Sequence, residues 1–185
     1  EKNICKPISA YGISKYYGEL ALNKLKLSSI KVVVLRLFNV YGPGQDYNNL
    51  KQGMLSIYLS EIFRTGKVKV TGSLNRYRDF VYIDDVVRAL TKSVSFNDKT
   101  VYNIGSGKKT KVNDVINKIF LCLGSKSKKN RIILKNSHSG DTWGSYANIN
   151  EILKTGWRPK VGLNQGIINT INNIKKFYKW KLLLY

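Results

Sequence analysis

A chain of 185 residues that is 43% hydrophobic can fill one domain, or part of a two-lobed one, with a sizeable core. No apolar run reaches the roughly 20 residues of a membrane helix, and the start EKNICKPISA lacks a secretory signal's apolar stretch, so the expectation is a cytoplasmic protein with no membrane partner. The formal charge of +21 would suit a polyanion, but the lysines are spread along the whole chain beside abundant asparagine; coding-genome bias accounts for that, and we expect no nucleic-acid partner.

SAYGISKYYGELALNKLKL (9–27) reads as a helix that Ser9 can cap, with Tyr17, Leu20, Ala21 and Leu25 at helical spacing. The near-continuous apolar run IKVVVLRLFNV (30–40) predicts a strand buried on both faces of a parallel sheet, ending in the turn YGPGQ (41–45). MLSIYLSEIFRTG (54–66) reads as a helix closed by Gly66. KVKVTG (67–72) is a short alternating strand and RDFVYI (78–83) another. DDVVRALTKSV (84–94) starts a helix with an acidic first turn, favourable beside the helix dipole, and Asp84 and Asp85 are expected to cap it.

TVYNIGSG (100–107) is strand then turn, and VNDVINKIFLCLG (112–124) an amphipathic helix ending at Gly124. SKSKKNR (125–131) reads as a solvated loop. RIILK (131–135) predicts a strand, NINEILKTG (148–156) a short helix, and GLNQGIINTINNIKKFYKW (162–180) the terminal helix. Strands alternating with helices give an α/β class.

The usual cofactor and metal motifs fail. Cys5 and Cys122 have no CxxC spacing and read as idle or buried thiols rather than a disulfide, and the single histidine, His138, leaves no His-based zinc site. GSGKKT (105–110) misses the phosphate loop, because Tyr102 takes the first glycine position and Lys109 the Ser/Thr position. It misses GxGxxG as well, with Thr110 in place of the last glycine, and YGPGQD lacks the third glycine.

Tyr11 and Lys15 stand four apart on the first helix, one face, with Cβ atoms about 5–6 Å apart. An ammonium there favours the phenolate, and such a tyrosine can take a proton from a sugar hydroxyl while a hydride leaves the same carbon. An ordinary surface helix has the same spacing. Tyr47 and Lys51 repeat it, so spacing alone does not choose.

The surrounding sequence resembles the extended short-chain dehydrogenase/reductase family, and in particular its NAD-dependent nucleotide-sugar epimerases and dehydratases. YGISKYYGE looks like that family's active-site helix, with Glu19 one turn past the lysine. VVVLRLFNVYGPGQ is similar to the strand that follows, with Arg36, Phe38, Asn39 and the Gly-Pro turn in register. GSLNRYRDFVYIDDVVRAL resembles the substrate-domain stretch in which an Arg-Asp-aromatic tripeptide leads into an acidic helix start. VYNIGSGKKTKVNDV looks like the returning strand and next helix, and SGDTWGSYANINEILKTGWRPKVGLNQGI like the closing segment. Five blocks in the family's order cover nearly the whole chain.

The resemblance implies an α/β fold: the C-terminal part of a Rossmann-type doubly wound sheet plus a small α/β substrate-binding domain. Residues 1–50 would end the NAD-binding Rossmann domain, 51–100 form a substrate-binding segment, 101–124 the returning Rossmann strand and helix, and 125–185 a C-terminal substrate-domain segment. The family's glycine-rich cofactor loop and catalytic Ser/Thr have no counterpart in these residues, so the expectation is a C-terminal fragment that is inactive alone.

Residue roles follow from the same resemblance. Tyr11 would be the general base and acid, and Lys15 its tuning partner and ribose ligand, both touching the NAD cofactor. Phe38 matches a position beside the nicotinamide, with core packing at a strand end the competing reading. Asn39 matches a contact to the sugar nucleotide, against a turn residue bonding its own backbone. Met54 and Leu55 open the helix whose backbone meets the base, and Lys69, Val70 and Thr71 match a strand lining it, against plain strand packing. Arg78 matches the arginine gripping the diphosphate, a task suited to a guanidinium fork. Asp141 matches an acidic position at the nucleotide ribose, and His138 stands where epimerases often have arginine. The function implied is NAD-dependent 4-epimerisation of a nucleotide sugar, a UDP-sugar first, in a full-length homodimer. The alternatives are a 4,6-dehydratase or decarboxylase on the same scaffold, or a non-catalytic nucleotide-binding member.

Overall fold

The computed structural model describes residues 5–25, 31–51, 53–96, 101–124, 131–137 and 142–177. In chain order the elements are α1 (Ala10–Leu25), β1 (Val34–Leu37), β2 (Asn39–Tyr41), α2 (Met54–Thr65), β3 (Val68–Thr71), β4 (Tyr77–Arg78) and β5 (Phe80–Tyr82). They continue with α3 (Ile83–Ser93), β6 (Val101–Ile104), β7 (Thr110–Lys111), α4 (Val112–Cys122), β8 (Ile132–Lys135), α5 (Asn150–Lys154) and α6 (Leu163–Phe177). Four strand pairs result. β1–β6, β2–β5 and β3–β8 are parallel, and β4–β7 is antiparallel. Parallel pairs crossed by helices are the α/β architecture read from the sequence.

Local chemistry sets the helix ends. The Ser9 hydroxyl accepts the Gly12 N–H at 3.1 Å, filling one orphan donor at the start of α1. Gly66 closes α2 in the left-handed region at φ 67°, its N–H donating to the Ile62 carbonyl at 2.9 Å. At α3 the expected capping by Asp84 and Asp85 does not occur: Tyr82 is the N-cap and no side chain caps it. Asp85 is instead fully buried, and its two carboxylate oxygens accept the backbone N–H groups of Lys160 and Val161 at 2.9 and 3.1 Å. It ties the start of one helix to the loop entering another.

The long apolar run divides. β1 pairs with β6, and after Phe38 the chain changes partner, so that β2 pairs with β5. The two-sided burial expected for this strand is not found: Val34, Leu35 and Arg36 are half-buried and Leu37 is 48% exposed. Among the described residues β1 pairs with β6 alone, and Val34 to Leu37 line an open cleft against α1 instead of a covered face. RDFVYI likewise splits, because Asp79 interrupts the ladder between β4 and β5 and Ile83 already belongs to α3.

Two buried clusters organise the interior. One gathers Leu55, Leu59, Ile62 and Phe63 of α2 with Val68, Val70, Ile116, Ile119, Ile167 and Ile171; the other gathers Val81, Val86, Ala89, Tyr102, Ile104, Ile152 and Trp157. Helix α4 thus packs with α6, α2 and the short strand β7 before it, α3 packs on β5 and β2, and α5 packs on β6. Within the first cluster a Cβ on Gly166 would overlap the Tyr41 hydroxyl, whereas one on Gly162 would meet nothing within 4 Å. Gly166→Ala is therefore expected to lower stability by about 1–3 kcal/mol through overpacking. Gly162→Ala should leave the denaturant midpoint nearly unchanged, and equal effects at both sites would refute this account.

Candidate active site

Helix α1 and strand β1 wall a cleft of about 590 Å³, lined by Tyr11, Ser14, Lys15, Gly18, Glu19 and Leu22 on one side and by Val34 to Leu37 on the other. One helical turn brings the Lys15 ammonium to 5.3 Å from the centroid of the Tyr11 ring, a cation–π distance. Tyr11 is 73% exposed, so its hydroxyl is open to a ligand. The second pair has another fate. Tyr47 is buried, donates its hydroxyl to the Gly42 carbonyl at 2.9 Å, and stands with Lys51 on turns rather than a helix. Tertiary structure separates two pairs that spacing alone leaves equal.

A brace closes the floor of the cleft. The Arg36 guanidinium donates to both Glu19 carboxylate oxygens, at 2.9 and 2.6 Å, and to the Cys5 sulfur at 3.3 Å. This bidentate fork fixes the angle of α1 on β1 and hence the direction in which Tyr11 and Lys15 project. Both cysteines are free thiols.

Phe38 and Asn39 stand at the C-terminal end of β1, where the chain changes sheet; the crevice outside such strand ends is the usual ligand site of open α/β sheets. Phe38 is half-buried and donates its N–H to the Ile104 carbonyl at 2.9 Å. The Asn39 backbone N–H and side-chain amide both donate to the Asp79 carbonyl, at 3.1 and 2.9 Å. Met54 starts α2 half-buried, and Leu55 points its side chain into the core, which leaves its backbone as the available contact. In β3, Val70 is core, Lys69 is exposed with its N–H on the Glu61 carboxylate at 2.6 Å, and Thr71 offers its carbonyl to Arg76. His138 and Asp141 lie outside the described residues.

Arg78 is only 8% exposed. Its fork donates to the carbonyls of Tyr77 at 2.8 Å, Thr142 at 3.0 Å and Trp143 at 3.5 Å, which orients it. Burial, and then the neighbouring Arg76, push the Arg78 pKa below its ordinary value. Tyr58 nearby is pushed up to about 12, burial outweighing the two arginines. The region concentrates positive charge away from water, and an anion placed there would offset the burial and like-charge penalties on Arg78.

Asp79 and Asp85 were the least legible residues of the site. Each is a carboxylate with no exposure, and each is saturated by backbone donors from a distant segment. The one signal in the sequence was an acidic residue inside an apolar stretch. No cluster of three or more metal-ligating side chains occurs among the described residues.

Comparison with known proteins places these features in a family. A model of the NAD-dependent epimerase/dehydratase family matches residues 1–105. A putative UDP-glucose 4-epimerase of Methanocaldococcus jannaschii is 32% identical over 176 residues, 95% of this chain and 56% of that protein. A dTDP-4-dehydro-6-deoxyglucose reductase of Escherichia coli is 32% identical over 95% of this chain and 55% of its own length. The solved UDP-glucose 4-epimerase of Thermotoga maritima with UDP-glucose superposes with a TM-score of 0.85 at 34% identity, over 92% of this chain and 55% of that one. The chain thus spans about half the length of the relatives it matches.

Proposed function

Because the chain belongs to the NAD-dependent epimerase/dehydratase family, we propose that it carries the base-bearing part of a nucleotide-sugar 4-epimerase acting on a UDP-sugar. The observation that carries this reading is the Tyr11–Lys15 face opening on the α1–β1 cleft. Support comes from the buried cationic fork at Arg78 and from a structural relative that holds UDP-glucose.

The cleft suits one end of the cofactor. Tyr11 and Lys15 offer a hydroxyl and an ammonium on one wall, Leu35, Leu37 and nearby Phe38 an apolar surface for a flat ring, and we assign these residues to the nicotinamide and its ribose. The pyrophosphate is assigned to no residue of the chain, since no glycine-rich fingerprint occurs in these 185 residues. Bound NAD supplies a reversible hydride acceptor. Tyr11 takes the proton of the sugar C4 hydroxyl as C4 becomes a ketone, and returns it to that oxygen once C4 is reduced on its other face. Lys15 steadies the phenolate and the ribose. Arg78 grips the diphosphate, Asn39 the sugar end, and Met54 to Leu55 with Lys69 to Thr71 border the base. His138 and Asp141 complete this assignment at the nucleotide.

Incubating the full-length protein and NAD with UDP-glucose or UDP-galactose, followed by proton NMR, tests the reading. Interconversion of the two sugars is the expected result. A 4-keto-6-deoxy product would assign the chain to the dehydratases instead, and no conversion of any nucleotide sugar would overturn the proposal.

A further inference from the structure

We propose that Asp79 is a positioning residue that sets the spacing between the sugar contact and the diphosphate contact; the inference rests on the nucleotide-sugar reading of the site. The Asp79 side chain touches neither proposed ligand. Its Oδ1 accepts the Ser106 N–H at 2.7 Å and the Ser106 hydroxyl at 2.6 Å, and its Oδ2 accepts the N–H groups of Gly107 at 2.9 Å and Ala147 at 3.1 Å. Its carbonyl accepts both donors of Asn39. Arg78, the preceding residue, is held by the carbonyls of Thr142 and Trp143, in the segment that Ala147 anchors to Asp79.

Two segments remote in sequence therefore meet on one carboxylate, and a third meets the carbonyl of the same residue. The GSG turn that fails as a phosphate loop is nonetheless an anion nest, with successive N–H groups converging on a negative charge. An internal aspartate fills it. The fit is close: a Cβ on Gly105 would stand 2.6 Å from Asp79 Oδ2 and 2.6 Å from the Ala147 side chain, so the turn has room for the carboxylate and nothing more. With the turn and the 142–147 segment both fixed to residue 79, Asn39 on one side and Arg78 on the other lose their freedom to move apart. A substrate that must bond both finds them already set, and this lowers the ordering cost of binding.

The test uses the full-length protein with Asp79→Asn, which keeps the shape but places an amide NH2 against N–H donors, and Ser106→Ala, which removes a single donor. We expect Asp79→Asn to raise KM for UDP-glucose at least tenfold while kcat falls less than threefold and NAD affinity is unchanged, with Ser106→Ala moving KM the same way by a smaller factor. Formate added to Asp79→Ala should restore part of the lost affinity, and equimolar chloride should not. Amide exchange reads the same bonds without substrate: Ser106, Gly107 and Ala147 should exchange at least tenfold faster in Asp79→Asn, with Ile116 in the other core unchanged. Faster exchange with an unaltered KM would make Asp79 a mere strut and overturn the inference, as would unchanged exchange. A wild-type protein that binds no UDP-sugar would sink the nucleotide-sugar reading itself, a result visible before any variant is compared.

Discussion

Tyr11→Phe in the full-length protein is expected to cut turnover by about 10²–10⁴-fold while leaving NAD and nucleotide-sugar binding in place. The proposed mechanism gives this hydroxyl the proton of the C4 hydroxyl, and removing a single oxygen from a side chain that is 73% exposed disturbs no packing. The Lys15 ammonium, 5.3 Å from the ring centroid, keeps its proposed ribose contact but has no phenolate left to steady. Tyr47→Phe is the matching control. It deletes the buried bond to the Gly42 carbonyl and should cost about 1 kcal/mol of stability, with the rate per folded molecule unchanged. Steady-state rates measured beside a thermal melt separate the two variants. A Tyr11→Phe protein keeping more than a tenth of wild-type kcat would end the assignment of Tyr11 as the base.

Asp85→Ala should produce the largest loss of stability, about 3–5 kcal/mol, because it removes the acceptor from a buried charged network. Two backbone N–H groups, those of Lys160 and Val161, would lose their partner, and Arg88, which ion-pairs with the same carboxylate one turn along α3, would lose its own. At roughly 2–4 °C per kcal/mol for a chain of this size, the melting temperature should fall by roughly 6–20 °C. Asp85→Asn should fall between, since it keeps one acceptor but sets an amide donor against a backbone donor. The Trp157 indole donates to the Asp85 main-chain carbonyl at 3.0 Å, so its fluorescence reports on this junction. A loss under 1 kcal/mol would show that the 157–161 loop holds its place without the carboxylate.

The same two aspartates mark where sequence reasoning ran out. Asp85 sits in the first turn of a helix, where an acidic residue has a ready explanation in the helix dipole, and the sequence offers no reason to look further. Besides Arg88 on the same helix, its partners are backbone groups 75 and 76 residues away. Asp79 lies between Arg78 and an apolar strand, and its donors come from residues 106, 107 and 147. Periodicity reports which face of one element is apolar; it says nothing about which distant backbone will close on a charge.

By itself the sequence determined the helices and the family. Helical spacing, β-branched runs and glycine stops are local properties, so α1, α2, α4 and α6 stood where the pattern placed them, and the ordered blocks around Tyr11 pointed to the epimerase/dehydratase family that the comparisons show. Spacing did not choose between Tyr11–Lys15 and Tyr47–Lys51; the surrounding blocks favoured the first, and tertiary structure added that the Tyr11 ring is exposed whereas the Tyr47 hydroxyl meets a buried carbonyl. It also decided the exposure of β1. Burial on both faces depends on what packs over the sheet, and the side of β1 toward α1 opens on the cleft, whatever its own side chains prefer.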